Sequence, residues 1–213
     1  AAVIVVRPAA MNGWGFFQEV ATGSGSLVTG PASPPSGTGS ANLVVDATGR
    51  ELFGTVAYAG TRFDAITNLQ YSTYQPTGTS PSLAVSLQFD VDYDLTDVNT
   101  SWQGRLVFEP YLSGTVTHGS WQTWSPLGGN WWASGAPGNT LCPMATPCSW
   151  ATVLSNWPDA GLRASVGVAQ FKAGGPWPPS FSGYVDAFTI GVSASDTTYD
   201  FEPETPCTTD CYV

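Results

Sequence analysis

At 213 residues the chain is long enough for one large domain, and its 10% charged residues, 24 Gly, 17 Pro and 13% aromatics exclude both disorder and a helix-dominated fold. Six Lys and Arg against sixteen Asp and Glu give a net charge of −10. That balance excludes nucleic acid and anionic membrane surfaces as partners, since no basic patch exists to displace counterions from phosphates, and no apolar run reaches the ~18 residues of a helical membrane span.

Ala1 to Val6 reads AAVIVV, a β-branched strand stopped by Arg7-Pro8. Val3, Ile4, Val5 and Val6 are apolar on both faces. The strand fits either inside its own sandwich or as a donor completing a neighbour's sheet. The start at Ala1-Ala2, without an initiator Met, is what signal cleavage beside small residues leaves, and a secreted protein is expected. Met11 to Ser40 is loop-rich, with rigid turns at Gly30-Pro31 and Pro34-Pro35. Asn42 to Asp46, Phe53 to Tyr58 and Leu69 to Tyr74 read as strands, and Phe63 to Ile66 as a helical turn.

Leu83 to Leu112 carries the strongest pattern. Leu83, Val85, Leu87, Phe89, Val91 and Tyr93 alternate with Ala84, Ser86, Gln88, Asp90, Asp92 and Asp94. Strict period-two alternation predicts a half-buried strand. Its partner is WQGRLVFEPYL, and keeping the core faces together sets Asp90 opposite Arg105 and Phe89 opposite Leu106. Asp90, Asp92 and Asp94 are candidate calcium ligands, with Asp186 beside Asp200 and Glu202 as a second location. The plainer reading of the Asp row is a solvated sheet face with Arg105 as counter-charge.

Gly114 to Gly138 reads as a long loop carrying Trp121, Trp124, Trp131 and Trp132. Aromatic faces stack on sugar rings, so these four are the candidate ligand-binding residues; the plainer reading packs them beneath the loop as satellite core. Ser149 caps a short helix near 150–157, with Trp150, Val153, Leu154 and Trp157 at helical spacing and Pro158 closing it. Leu162 to Phe171 returns to strand, and Tyr184 to Val192 with Thr198 to Phe201 forms a closing hairpin.

The four cysteines allow three connectivities, and local bridges Cys142–Cys148 and Cys207–Cys211 are the simplest. A zinc site is disfavoured by the single His118 and by the spacings. Disulfides imply an oxidising compartment. Glu109 with Asp90, or Glu51 with Asp46, are nominal carboxylate pairs for glycoside hydrolysis, but nothing in the pattern brings either pair together. No catalytic residue is predicted and no cofactor is required, though calcium is compatible.

The strand spacing predicts an all-β, two-sheet antiparallel sandwich of jelly-roll type with one short helix. One domain is expected over 1–203, with residues 1–6 as an edge or exchanged strand and 204–213 as a Cys-containing tail. Met11-Asn12-Gly13-Trp14, the turn region from Gly30-Pro31-Ala32 to Gly39-Ser40, Arg105-Leu106-Val107 and Phe171-Lys172-Ala173-Gly174 together resemble a family of secreted bacterial laminin-G-like or concanavalin-like jelly rolls. Tyr184 to Gly191 and Thr198 to Pro203 extend that resemblance. It implies fold more than function, since such modules usually lack an assigned activity. The expected function is a non-catalytic extracellular structural or adhesive protein, self-associating through Val3 to Val6 into a filament or surface layer. The alternative is a carbohydrate-binding module using loop Trp residues on a surface glycan, and the remaining one is a glycan-cleaving enzyme.

Overall fold

The computed structural model describes residues 1–77, 80, 82–175, 177 and 180–204. Cys207 and Cys211 lie outside the described residues. Fifteen strands form two sheets among them. They are β1 (Ala2–Val6), β2 (Trp14–Val20), β3 (Ser24–Thr29), β4 (Gly39–Asp46), β5 (Arg50–Thr55), β6 (Ile66–Tyr74), β7 (Ser86–Asp92) and β8 (Arg105–Phe108). Then follow β9 (Trp121–Trp124), β10 (Asn130–Ala133), β11 (Cys148–Ser149), β12 (Gly161–Leu162), β13 (Ala169–Ala173), β14 (Ser180–Val192) and β15 (Ser195–Phe201). Two short helices, α1 (Gly138–Leu141) and α2 (Trp150–Asn156), interrupt them.

The first sheet runs β1-β15-β14-β4-β3, with β6 beside β14 and β9 beside β6. The second runs β11-β10-β8-β7-β13-β5-β2, with β12 against the end of β7. This is the expected all-β sandwich. In the central hairpin Asp90 pairs with Arg105 and Phe89 with Leu106, the register that the alternating pattern predicts. Both faces of β7 are nevertheless buried, so its polar row is not a solvated surface.

β1 pairs in parallel with β15, Ala2 opposite Thr197 through Val6 opposite Phe201. Val6 is fully buried in the core, and its carbonyl accepts the Glu202 amide at 2.9 Å. The segment offered as a donor to a neighbouring chain is thus held in its own sheet, where five residue pairs and one core side chain already engage it. It is an edge strand, with Val3 facing outward.

The region 11–40 holds two strands that composition hides among turns. Trp14 and Phe16 on β2 face inward against Phe53. Trp14 joins the layers: its ring lies 4.9 Å from Phe53 and 6.0 Å from Phe171 on one sheet. It lies 5.8, 5.1 and 5.0 Å from Phe188, Tyr199 and Phe201 on the other. Stacked and edge-on pairs of this kind add about 0.5–1.5 kcal/mol each to the burial itself.

α2 begins where the sequence places it. Ser149 Oγ accepts the Thr152 amide at 3.2 Å, supplying a partner for one free donor of the first turn. The helix lays Trp150 against Trp131 at 5.1 Å. The Cys142–Cys148 disulfide closes the loop leading into it, as the local spacing suggests.

Replacing Trp14 by Ala opens a cavity between the sheets. The expected loss is about 3–5 kcal/mol in urea unfolding, with Trp14→Phe costing clearly less.

Candidate functional site

The outer face of the second sheet is polar yet covered. Alternation sends Leu87, Phe89, Leu106, Phe108, Phe171 and Trp131 into the core. It sends Ser86, Gln88 and Asp90 of β7, Gln170 and Lys172 of β13, Val107 of β8 and Trp132 of β10 to the other side. Ser86, Gln88, Asp90 and Gln170 are all at most 7% exposed, so each needs partners. Gln88 Nε2 donates to Ser86 Oγ at 3.0 Å, and Ser86 Oγ donates to the Lys172 carbonyl at 3.2 Å. Asp90 Oδ1 accepts from Arg105 Nε at 3.0 Å and from Gln170 Nε2 at 3.4 Å.

One carboxylate ties this face to the sheet edge. Glu19 Oε1 accepts from Arg105 Nη1 at 2.7 Å, and Glu19 Oε2 accepts from Lys172 Nζ at 2.6 Å with Arg50 Nη1 at 3.6 Å. Partial burial pushes the Glu19 carboxyl up, but the bond to Lys172 and the charges of Arg105 and Lys172 outweigh it and bring it down to about 2. Lys172 also moves down: burial and the neighbouring Arg105 and Arg50 prevail over the pull of Glu19. Both partners shift down, Lys172 chiefly because it is buried and Glu19 because the bonds and charges of Lys172 and Arg105 prevail over its partial burial.

Beside this network lies a pocket of about 400 Å³, within the size range of small-ligand sites. Its aromatic lining is Tyr111, Trp132 and Trp177, and its polar lining includes Ser80, Ser82 and Glu109. Glu109 directly follows β8. Pro110–Leu112 then makes one 3-10 turn that brings Tyr111 to the pocket, and Asn130 Nδ2 pins that turn by donating to the Leu112 carbonyl at 2.8 Å. Trp132 reaches the pocket because Trp131 points inward. Trp177 rests edge-on against Phe181 at 4.6 Å. Glu109 is 6% exposed; burial raises its carboxyl to about 8, although the Lys172 charge works against this. Two buried atoms of the lining residues, Glu109 Oε2 and Trp132 Nε1, have no hydrogen-bond partner among protein groups.

The candidate tryptophans are divided. The segment read as a loop holds β9 on one sheet and β10 on the other, so the four indoles do not gather. Trp124 and Trp131 are core residues whose Nε1 groups donate to Thr73 Oγ1 and the Pro126 carbonyl, both at 2.9 Å. Trp121 donates to the Pro31 carbonyl at 2.9 Å and lies beside Tyr74 on the first sheet. Of the four, Trp132 alone lines the pocket. Tyr111, Trp177 and Glu19 were absent from the sequence-based site; Trp177, set among Gly and Pro in GGPWPP, is the one with a local signal.

The acidic candidates are also separated. Asp90 is held by Arg105. Asp92 Oδ1 accepts from Gln103 Nε2 at 3.0 Å and from the Asp94 amide at 3.1 Å. Asp94 caps a turn through the Thr96 hydroxyl and amide, which lower its carboxyl. Asp186 sits in the other sheet, where its oxygens accept the Ser36 and Phe201 amides at 3.0 and 3.2 Å and burial raises it to about 7. Among the described residues no group of three or more His, Cys, Asp or Glu is placed to hold a metal ion.

No family model and no curated protein sequence matches the chain. Among solved structures it is similar to the Family 11 Carbohydrate-Binding Module of cellulosomal cellulase Lic26A-Cel5E of Clostridium thermocellum. That match has 12% identity and a TM-score of 0.46, over 91% of this chain and 90% of that one. A second is the Xylan-Binding Domain from CBM 22, at 11% identity and TM-score 0.40 over 88% and 91%. A third, from work on the promiscuous specificity of carbohydrate-binding modules of the beta-sandwich super family, has 11% identity and TM-score 0.42. There 84% of this chain spans 57% of the other.

Glu109 makes stability depend on pH. The folded chain holds its proton to about pH 8, whereas an unfolded carboxyl releases it near 4.5. Its contribution is therefore complete below 4.5 and lost as pH rises through 8. Glu109→Gln has no proton to lose. The unfolding free energy of this variant should gain on wild type by roughly 3–5 kcal/mol between acid and alkaline limits. Urea titrations at a series of pH values measure this; a pH-independent difference would show an ordinary carboxylate.

Proposed function

We propose that the chain is an extracellular carbohydrate-binding module, holding one sugar of a glycan in the pocket beside the outer face of the second sheet. The observation that carries this reading is one pocket walled by Tyr111, Trp132, Trp177 and Glu109, in whose walls the buried Glu109 Oε2 and Trp132 Nε1 have no protein partner. A sugar ring offers an apolar C–H face to an aromatic side chain and hydroxyls to polar atoms at its edge. Burial of a polar atom without a partner costs about 1–3 kcal/mol, so a ligand that supplies one gains that much in addition to its contacts.

Binding is favoured over cleavage because Glu109 is the single carboxylate among the described residues lining the pocket. Glycoside hydrolysis ordinarily uses two. Binding is favoured over assembly by strand exchange because β1 is already paired within its own sheet. The Cys142–Cys148 disulfide supports a location outside the cell.

A glycan array followed by calorimetry tests the assignment. Trp132→Ala and Trp177→Ala should each weaken binding by roughly ten- to a hundredfold, as anchors of a small site do. Trp121→Ala, on the other sheet, should leave affinity unchanged. Wild-type protein that binds no glycan, or binding indifferent to Trp132 and Trp177, overturns the reading.

A further inference from the structure

We propose that the cations gathered under Glu19 form a subsite for the carboxylate of an acidic sugar, with Glu19 occupying it as an intramolecular stand-in. This rests on the glycan reading above and names the class of glycan.

The first observation is where the cations lie. The chain has six Lys and Arg in a molecule of net charge −10, and half of them, Arg50, Arg105 and Lys172, meet at one carboxylate on the face that carries the pocket. They face two carboxylates, Glu19 and Asp90. Glu109 does not add a third at neutral pH, because burial keeps it protonated. A positive locus in so acidic a chain has no role in solubility, and it attracts anions to one place.

The second observation is which partner is fixed. Arg105 and Lys172 rise from β8 and β13 in the interior of the sheet, and their side chains are only 13% and 12% exposed. Asp90 holds Arg105 at Nε, leaving Nη1 to Glu19. Glu19 belongs to edge strand β2. The register shifts between Gln18, opposite Glu51, and Val20, opposite Arg50, so Glu19 falls at the irregularity. Alternation from the inward-facing Trp14 and Phe16 places Glu19 on the outer face, and the irregularity ends regular pairing at its own position on the sheet margin. The cations are built into the floor, and the anion is supplied from the margin.

The third observation is shape. The two oxygens of Glu19 serve different cations, Oε1 on Arg105 and Oε2 on Lys172 and Arg50. A uronate carboxylate presents the same planar pair of oxygens, and charge-assisted bonds from Arg and Lys to such a pair are the strong ones. Lys172 also acts on Glu109 in the pocket wall. Pocket and cation cluster are therefore neighbours, placed for successive sugars of one chain.

The test uses oligosaccharides of galacturonate, glucuronate and mannuronate, each against its methyl ester, with dextran sulfate as a sulfated anion. Wild type, Glu19→Gln, Glu19→Asp and Lys172→Met are titrated by calorimetry. At least one uronate should bind more tightly than its ester. Glu19→Gln should raise affinity for that acid by about tenfold or more while leaving the ester unchanged. Glu19→Asp should fall between, and Lys172→Met should abolish the preference. The ester, reading only the pocket, reports whether each variant is folded. Acid and ester bound equally in all four proteins, or an equal gain for dextran sulfate in Glu19→Gln, overturns the carboxylate subsite while the glycan reading stands. Failure of wild type to bind any acid or ester, together with a blank glycan array, overturns both.

Discussion

Strand β7 is buried on both faces, and most of the molecule follows from that. One face is apolar and enters the sandwich. The other carries Ser86, Gln88, Asp90 and Asp92, none more than 7% exposed. Such a strand tolerates no register error: a slip by one residue would turn Leu87 and Phe89 outward and bring Gln88 and Asp90 against the aromatic core. It also tolerates no idle polar group, since each buried donor or acceptor without a partner is destabilising by about 1–3 kcal/mol. The neighbours on β8 and β13 are what those two demands require. Arg105 faces Asp90, and Gln170 faces Gln88.

Most polar groups of this face are partnered, with Gln170 Oε1, Glu109 Oε2 and Trp132 Nε1 as exceptions. Burial of Asp90 is tolerated by its ion pair with Arg105; removal of Arg105 would leave Asp90 without an opposing charge, whereas Arg105 would keep Glu19. Glu109 follows another course. Burial keeps it protonated, and one oxygen still has no partner. Trp132 is in the same condition at its indole nitrogen. Groups that the fold leaves without partners, at the wall of a pocket with aromatic sides, are where a ligand contributes most for the fewest contacts. The opposite sheet supports this face at a distance. Phe188, Tyr199 and Phe201 press on Trp14 and Phe171 and hold the floor in place.

The hairpin was legible because alternation and its counter-charge are both local to one pair of strands. Ser149 was legible as a cap because the cap and the amide that donates to it lie three residues apart. β3 was not, since Gly, Ser and Thr dilute its apolar positions to the density of a turn region, and β2, WGFFQEV, was read with the turns that follow it. Trp131 and Trp132 show how little composition says once the element is wrong. As loop residues they read alike; on β10 they point to opposite faces, one to the core at 0% exposure and the other to the pocket.

The site itself was hidden for a further reason. Besides Trp132 on β10, its parts come largely from segments without a period: the turn after β8, the stretch around Ser80 and Ser82, the loop carrying Trp177, and the irregular end of β2 at Glu19. Periodic segments can be read one at a time, because each must present an apolar face to something. Aperiodic segments acquire a direction only from the sheet they are folded over. The alternation in β7 shows that a polar face exists, but what lies above that face depends on four pieces of chain as far apart as residues 19 and 177. A strand-by-strand reading therefore supplies water by default. Burial of the Asp90 row shows that the chain covers this face itself, with the pocket beside it.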